Sequence, residues 1–357
     1  MTHLLMSLNM KINKLNLTSE NLFLVDQFFK SQFKNNQRYG EMGYFYWKLL
    51  KNKISNGFIN SYSEMGDIVA TTSITPKSIL YKSKVFSVAE IGDTYVDKKY
   101  QGRGFFTDLV NKSEKDAKDF YFIYGLPNHL SLPIYLKRCN FQLINSLDLH
   151  SFIYPLSINM FLSNRIGNSL ASFINMFYKL YVKSSILFFN LKYNFSKTYT
   201  YQEIEKFNES FDIFWNKASK EWDFIFMRNK KMINWRFDEN PKKYKKLIFK
   251  KDSNVIGYLI YSESYEEDSR IIIADFLFLK EHIEAFDYSL YLIKKIALKR
   301  RINGISLWYT LKSVFTKTLF ENRFYKNNTV PFIINKGNND LVELNNIHFT
   351  ISDSDNV

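Results

Sequence analysis

A pair of glycines stands where an apolar segment runs into a helix-forming one, within residues 93–109. Gly102 and Gly104 can adopt positive φ and let a ligand approach the backbone closely. The first turn of a helix beginning at Phe105 would present N–H groups that have no intrahelical partner, at the positive end of the helix dipole. A loop of this kind can bind phosphate.

A second motif follows this helix: Asn128, Ser131 and Tyr135 are spaced as Asn-x-x-Ser-x-x-x-Tyr. Together the two motifs resemble those of the GNAT acyltransferase superfamily. Gln101 and Gly104 match its Gln/Arg-x-x-Gly-x-Gly/Ala loop, although Phe106 falls where the family usually has glycine or alanine. The Asn128 motif is similar to the family's Asn-x-x-Ala/Ser-x-x-x-Tyr.

This resemblance implies an acyl-CoA co-substrate, acetyl-CoA, at the first motif. The strand before the loop would pair its backbone with the pantetheine arm, and an N–H near Val96 would polarise the thioester carbonyl. Asn128 would hold the CoA arm, and Tyr135 would protonate the leaving thiolate. The predicted cofactor-binding residues are Thr94, Tyr95, Val96, Gln101, Gly102, Arg103, Gly104, Phe105, Phe106 and Asn128.

An amine acceptor must also lose a proton, which a nearby carboxylate can assist. Asp93 aligns with an acidic position common in the family, and Glu90 is the alternative base. In an unbroken strand these two residues would point to opposite faces, but the family's strand is often bulged, so both stay candidates. Either could instead be a solvated strand-end charge or part of a salt bridge. His129 is a further candidate acid or base, with surface placement or packing as the alternative.

The chain also repeats itself. The segments around Trp47 and Trp235 resemble each other, and residues 89–93 are echoed by 272–275. Self-similarity at one long period indicates duplication, with each tryptophan anchoring the core of its own domain. The predicted units are a catalytic GNAT-like domain at 1–155, a connecting helical segment at 156–200 and a degenerate GNAT-like domain at 201–357.

The second copy lacks the phosphate loop. Its segment 279–286 contains no glycine, and the carboxylates of Glu281 and Glu284 would repel a pyrophosphate. We therefore expect the C-terminal domain to be non-catalytic and to wall off the acceptor site.

The elements needed to position these residues indicate an α/β (α+β) fold. We predict helices at 19–33 and 105–119 and strands at 67–75, 84–96 and 120–124. Strands alternating with helices favour a mixed twisted sheet flanked by helices in each domain. A length of 357 residues is ample for two domains.

The amino-acid composition indicates which classes of ligand and partner the protein binds. The net charge of +14 favours an anionic ligand such as CoA, a nucleotide sugar or a lipid phosphate; no basic run reads as a nucleic-acid contact. The single cysteine, Cys139, fits a reducing compartment, and the five histidines, which include His3, have no metal-ligand spacing. We expect a cytoplasmic protein without a metal.

Residues 170–189 form the most lipid-like window, but Lys179 and Lys183 interrupt it, so it does not read as a transmembrane span. It is either an interdomain helix with a buried apolar face or an amphipathic helix on the inner face of a membrane. The first ten residues lack a cleavage site and do not resemble a secretory signal.

Three functions compete. The first is an N-acyltransferase, acetylating a small amine or an amino sugar in surface-polysaccharide metabolism; that acceptor rests on resemblance to long tandem GNAT-like proteins. The second is an aminoacyl-tRNA-dependent peptidyltransferase, against which the intact 101–104 loop argues. The third is a non-catalytic module that binds nucleic acid or membrane.

Overall fold

The structure, a computed structural model, describes residues 10–33, 43–194, 198–265, 269–335 and 344–355, with side chains of the helix that ends at Asn194 described as far as Phe188. His3 and nearly all of the N-terminal segment considered above lie outside the described residues.

The described strands, in chain order, are β1 Asn13–Lys14, β2 Phe58–Glu64, β3 Asp67–Tyr81, β4 Lys84–Val96, β5 Ile123–Gly125, β6 Phe141–Leu143, β7 Leu149–Pro155, β8 Thr200–Ile204, β9 Phe224–Phe226, β10 Lys245–Lys251, β11 Asn254–Ser264, β12 Arg270–Phe278, β13 Gly304–Tyr309, β14 Tyr325–Val330, β15 Ile333–Asn335 and β16 Ile347–His348. The described α-helices are α1 Ser19–Gln32, α2 Phe105–Asp116, α3 Leu132–Arg138, α4 Asn159–Ile166, α5 Asn168–Asn194, α6 Ser210–Ala218, α7 Lys230–Asp238, α8 Ile283–Lys299 and α9 Val314–Glu321.

These strands form two mixed sheets flanked by helices, which confirms the predicted fold class. The first sheet runs β1-β2-β3-β4-β5-β15-β6, with β9 on β3 and β16 on β9. The second runs β14-β7-β13-β12-β11-β10-β8. In each sheet one central pair is parallel, β4 with β5 and β12 with β13, while their other neighbours are antiparallel. The same arrangement in both sheets is what duplication of one unit produces.

Strands are exchanged between the two halves of the chain. Strand β7 precedes the connecting helices but pairs with β13 and β14 of the second sheet. In return, β15 lies between β5 and β6 in the first sheet, and β9 pairs with β3. The bounds 1–155, 156–200 and 201–357 stay a prediction, and each sheet contains strands from both sides of them.

Local elements follow the sequence with small shifts. The Thr18 side chain caps α1 by accepting from the Asn21 N–H at 3.2 Å. Helix α2 ends at Asp116, earlier than expected. Phe120 lies in a turn, where its backbone N–H donates to the Ala117 carbonyl. Strand β5 therefore begins only at Ile123. Pro133 lies in the first turn of α3, as its missing N–H favours.

Trp47 and Trp235 do not anchor separate cores, so that expectation is wrong. The two indole rings stack on each other, with centroids 5.1 Å apart, in one buried cluster with residues of α1. Trp47 lies in a π-helical turn at Tyr46–Leu50 and Trp235 in α7. Equivalent positions of the two copies thus meet across the interface between the halves.

One interpretation of residues 170–189 was a helix between the two domains. Helix α5 does not have that position. It packs against α8, beside the second sheet. Val182 and Ile186 on its inner side join the core of that sheet. The opposite side is exposed, as described below.

Candidate active site

Strand β4 carries a β-bulge that decides which way its acidic residues point. Between Thr71 and Ser73 on β3, strand β4 has one extra residue, and Asp93 there has a φ of +48°. An extra residue reverses the alternation of side chains along a strand. Glu90 and Asp93 therefore both reach one buried group of charged side chains, although their spacing alone would separate them.

Strands β4 and β5 diverge just where the bulge begins. Their parallel pairing covers only Ala89 and Glu90 of β4. Beyond this point a cleft of about 720 Å³ opens between the end of β4 and helices α2 and α3. Nine of the ten predicted cofactor-binding residues line it: Thr94, Tyr95, Val96, Gln101, Gly102, Gly104, Phe105, Phe106 and Asn128. Their roles stay predictions, but the fold brings them to one place.

The glycine loop has the backbone that its sequence requires. Gly102 and Gly104 have φ of +80° and +88°, and Gly104 is the N-cap residue of α2. The Gln101 side chain donates to the Val96 carbonyl at 3.0 Å and so fixes the loop to the end of β4. The first N–H groups of α2 consequently face the cleft.

Basic residues surround this end of the cleft. Arg103, the tenth predicted residue, is exposed on the loop, with its guanidinium 5.0 Å from the Tyr100 ring centroid. Lys137 and Arg138, in the last turn of α3, line the cleft itself. Sequence reasoning did not select these two as site residues, although their place after the Asn128–Tyr135 motif could have suggested it.

The side chains of Asn128 and Tyr135 are positioned by different contacts. The Asn128 side-chain oxygen accepts from the N–H groups of Leu130 and Ser131, both at 3.0 Å, and so shapes the turn into α3. Tyr135 is buried, and its hydroxyl lies 3.2 Å from the Thr94 hydroxyl. Burial raises the pKa of Tyr135 well above the ordinary tyrosine value, so the phenol keeps its proton at neutral pH.

A cavity of about 320 Å³ lies at the inner end of the cleft. Its lining includes Tyr135, Thr94, Glu90, Asp93 and Asp355. Both predicted bases and the predicted acid therefore border the same space. His129 is exposed and is not among the residues that line this cavity or the cleft.

The acidic residues belong to a buried cluster of five charged groups. The Lys48 ammonium contacts Asp93 and lies 3.0 Å from Asp355. The Lys77 ammonium lies 2.8 Å from Asp355 and 3.3 Å from Glu90. Within the described residues, these two ammonium groups thus contact three carboxyl groups.

The pKa values within this cluster are pushed apart. Burial opposes the ionisation of Asp355, but the ammonium groups of Lys48 and Lys77 outweigh it and hold the Asp355 pKa well below the ordinary value. Burial, together with the negative charge of Asp355, raises the pKa of Glu90. Glu90 therefore exchanges its proton closer to neutral pH than Asp355 does.

Sequence reasoning missed Lys48, Lys77 and Asp355. Asp355 lies 262 positions after Asp93 in the sequence (355 − 93), and no motif surrounds it. The Asp355 backbone N–H donates to Glu90 at 2.9 Å, and its carbonyl accepts from the Tyr44 hydroxyl at 2.7 Å. The C-terminal segment 344–355 is thereby fixed across the first sheet.

The second sheet has a matching bulge, but its surroundings differ. Strand β12 has its extra residue just before Asp275, the counterpart of Asp93 in the repeat. Asp275 is paired with the buried Arg228 at 3.1 Å, which also contacts Asp353 at 2.6 Å. The segment 344–355 thus supplies one carboxylate to each copy.

The counterpart of the glycine loop is occupied by the chain itself. The Lys280 N–H, just before α8, donates to the Glu221 carboxylate at 2.9 Å. Glu281 pairs with Lys217 at 2.6 Å. A carboxylate of the protein thus accepts from an N–H group just before α8, and the absence of a phosphate site from this copy stays a prediction.

A third cavity, of about 410 Å³, lies between the two sheets and shares Leu126, Pro127 and Asn128 with the inner cavity. Its other lining residues come from both halves and combine apolar groups with a few polar ones: Leu149, Lys242, Ser262, Ile272, Ala274, Ser306, Trp308, Val330 and Ile351. The three cavities adjoin one another, and Asn128 borders all of them.

The part of the chain that contains the glycine loop and the Asn128–Tyr135 motif is similar to a known protein family. The model of the acetyltransferase (GNAT) family matches residues 23–141. No curated protein sequence matches the chain.

Several solved structures share the fold over most of the chain. A probable N-acyltransferase from Enterococcus faecalis is 11% identical, with a TM-score of 0.59 over 91% of this chain and 72% of that one. A GCN5-related N-acetyltransferase from Anabaena variabilis is 13% identical, with a TM-score of 0.60 over 91% and 72%. N-myristoyltransferase from Saccharomyces cerevisiae, solved with myristoyl-CoA, is 10% identical, with a TM-score of 0.59 over 92% and 82%. At these identities the likeness concerns the fold alone.

Proposed function

We propose that the protein is an acetyl-CoA-dependent N-acyltransferase acting on an amino sugar, because the model of the acetyltransferase (GNAT) family matches residues 23–141 of this chain. The observation that carries the proposal is that the cleft, the inner cavity and the cavity between the sheets have lining residues in common, Asn128 among them. A cofactor bound at Gly102 and Gly104 would run along β4 and place its thioester beside Tyr135, in the inner cavity.

The cleft suits CoA in shape and charge. The pyrophosphate would lie on the N–H groups at the start of α2, as anions do at helix N-termini. The pantetheine arm would pair with the backbone of residues 94–96, where β4 has left β5. Lys137 and Arg138 would contact the remaining phosphate.

The reaction needs one proton to leave the acceptor and one to reach the thiolate. The acceptor amine attacks the thioester carbonyl, so that a C–N bond forms and the C–S bond breaks. Glu90, whose pKa is raised by burial, would take the amine proton, with Asp93 as the alternative acceptor of that proton. Tyr135, protonated and beside Thr94, would protonate the departing sulfur.

The inner cavity favours a short acyl group. Its wall contains Glu90, Asp93 and Asp355. This polar wall offers a long alkyl chain little apolar surface to pack against, so it favours a short acyl group. An acetyl group would leave this wall accessible to the acceptor nitrogen.

The cavity between the sheets supports a sugar as the acceptor. The Trp308 ring offers an apolar face, and Ser262, Ser306 and Asn128 offer hydrogen-bonding groups around it. Binding sites of this kind orient a ligand with a few polar groups on an apolar wall. Lys242 adds a positive charge that suits an amino sugar carrying a phosphate or nucleotide.

The test is acetyl-CoA turnover by the full chain with a panel of amino sugars and nucleotide-linked amino sugars. Each amino sugar is matched with the same sugar bearing a hydroxyl in place of the amine. We expect CoA release only with the amines, together with an N-acetylated product in the mass spectrum, and little activity with myristoyl-CoA. Amine-independent CoA release, or equal use of the hydroxyl sugars, would contradict the proposal.

A further inference from the structure

Helices α4 and α5 form a hairpin whose outer face is apolar and exposed. Phe173, Phe177 and Phe188 on α5 are 58%, 54% and 72% exposed. Further large apolar side chains on the same hairpin are exposed as well: Met160, Phe161, Ile166, Leu170, Met176, Leu180, Tyr181 and Leu187. Monomeric proteins rarely expose so many large apolar side chains side by side without a partner.

The exposed residues follow the period of a helix. Leu170, Phe173, Phe177, Leu180 and Ser184 recur three or four positions apart and lie on one side of α5. The buried positions Ala171, Asn175, Val182 and Ile186 lie on the opposite side. Helix α5 therefore has two apolar faces, of which the described residues of the protein cover one.

The inner face holds the hairpin firmly, so the outer face has a fixed direction. The Asn175 side-chain oxygen accepts from the Ile158 N–H at 2.9 Å and from the Ser157 hydroxyl at 3.1 Å. The Tyr178 hydroxyl donates to the Pro155 carbonyl at 3.0 Å. These bonds fix α5 to the end of β7 and to the start of α4.

The charged side chains of the hairpin segment itself have a single sign. From Leu149 to Gln202 the sequence has no aspartate or glutamate, whereas it has five basic residues, Arg165, Lys179, Lys183, Lys192 and Lys197. Lys179 and Lys183 stand one turn apart between the buried and the exposed faces of α5. Arg323, from the loop after α9, contacts the Tyr181 hydroxyl and lies 3.4 Å from the Ser185 hydroxyl.

We propose that the α4–α5 hairpin binds the surface of an anionic lipid bilayer, with its outer face in the interfacial layer. The apolar side chains would enter the boundary between headgroups and acyl chains, and the lysines beside them would extend to the lipid phosphates, as long basic side chains do at such interfaces. A bilayer fits better than a second copy of the chain, because two basic faces would repel each other.

In the described parts of the chain no helix combines the length and apolarity needed to cross a bilayer. The proposed contact is therefore one of a helix lying on the surface. It stands apart from the acyl-transfer activity, which uses residues of the first sheet and the cavity between the sheets.

Vesicle sedimentation of the full chain tests the proposal. We expect binding to phosphatidylglycerol–phosphatidylcholine vesicles, weak binding to pure phosphatidylcholine vesicles, and a loss of binding as salt is raised. The variant Phe173→Ser/Phe177→Ser/Leu180→Ser should weaken binding on the order of 10²-fold or more. The variant Lys179→Gln/Lys183→Gln should weaken it by about fivefold for each lysine.

Matched controls exclude a general effect of lost apolar surface or charge. Ile213 and Met65 are also exposed and apolar but lie off the hairpin, so Ile213→Ser/Met65→Ser should bind vesicles like the parent protein. Lys217→Gln/Lys317→Gln controls for charge. Absence of binding to anionic vesicles, or binding that the triple serine variant retains, would overturn the proposal. So would a dimer in lipid-free solution that the same variant abolishes.

A labelled variant gives a second readout that does not depend on weakening the protein. Cys139 is the single cysteine and is buried, so Phe177→Cys can be labelled with a polarity-sensitive dye. Its emission should shift to the blue on anionic vesicles, whereas the dye at Ile213→Cys should not respond. Equal responses at both positions would contradict the proposed orientation.

Discussion

Asp355 lies 2.8 Å from the Lys77 ammonium group, so a residue near the C-terminus completes a charge cluster in the first sheet. Removing its carboxylate takes a hydrogen-bonded partner from both Lys48 and Lys77, although their ammonium groups keep Asp93 and Glu90 as counterions. The loss of such buried hydrogen bonds costs about 1–3 kcal/mol. We therefore expect Asp355→Asn to lower the free energy of unfolding by about this amount, measured by urea denaturation. Asp67→Asn, at an exposed aspartate, is the control. A loss no larger than that of the control would show that the cluster does not depend on Asp355.

Glu90 should set the acid side of the pH profile. Its raised pKa means that the protonated form persists above the ordinary carboxyl range, and a protonated carboxyl group cannot accept the amine proton. We expect kcat/KM to rise with pH as Glu90 ionises and this rise to disappear in Glu90→Gln. A variant that keeps both the rise and the parent rate would transfer the role to Asp93.

The raised pKa of Glu90 also predicts in which direction the free energy of unfolding changes with pH. A carboxyl group whose pKa is higher in the folded state binds more protons there, so folding loses stability as pH rises from the ordinary carboxyl pKa through the raised value. Glu90→Gln should remove this part of the loss, as measured by the free energy of unfolding between acidic and neutral pH. A parallel pH dependence in both proteins would contradict the assignment.

Tyr135→Phe should lower turnover by about 10²-fold or more with CoA affinity nearly unchanged, because the ring stays and only the proton donor is lost. The ring packs against Phe106 and Phe141, so phenylalanine fits the same space. A thioester with a more acidic leaving thiol needs less protonation, and it should restore much of the lost rate. An equal loss of turnover with both thioesters would indicate that Tyr135 only packs in the core.

Trp47 and Trp235 should be coupled energetically. Their rings stack, and the Trp47 indole N–H donates to the Trp235 carbonyl at 2.9 Å. Replacing either buried tryptophan by alanine should cost roughly 3–5 kcal/mol of unfolding free energy. A double-mutant cycle should give a coupling of about 0.5–1.5 kcal/mol. Additive losses would indicate two separate cores, as the repeat alone suggests.

The site residues that lie in short local motifs could be predicted from the sequence, whereas those contributed by distant segments could not. Gly102, Gly104, Asn128 and Tyr135 could be selected because a tight loop and a capped helix leave a short-range signature. The bulge at Asp93 could be anticipated only from family resemblance, since an extra residue in a strand has no pattern of its own.

Contacts between distant segments left no such signature. Asp355 reaches Lys48 and Lys77 because strands are exchanged between the halves and the chain returns across the first sheet. The stacking of Trp47 on Trp235 depends on how the two copies pack, which the repeat does not encode. The window 170–189 is apolar in sequence, but only the packing of Val182 and Ile186 shows which side of α5 stays exposed.

Calorimetric titration with acetyl-CoA is the most direct measurement of the central claim, that one CoA site lies at the Gly102–Gly104 loop. We predict one site per chain and its loss in Gly104→Val, because φ is +88° there and a β-branched residue would distort the cradle. Gly167, between α4 and α5 with φ of +80°, is the matched control. Gly167→Val carries similar backbone strain on the hairpin beside the second sheet and should bind acetyl-CoA normally. Two sites per chain, or binding that survives Gly104→Val, would contradict the account.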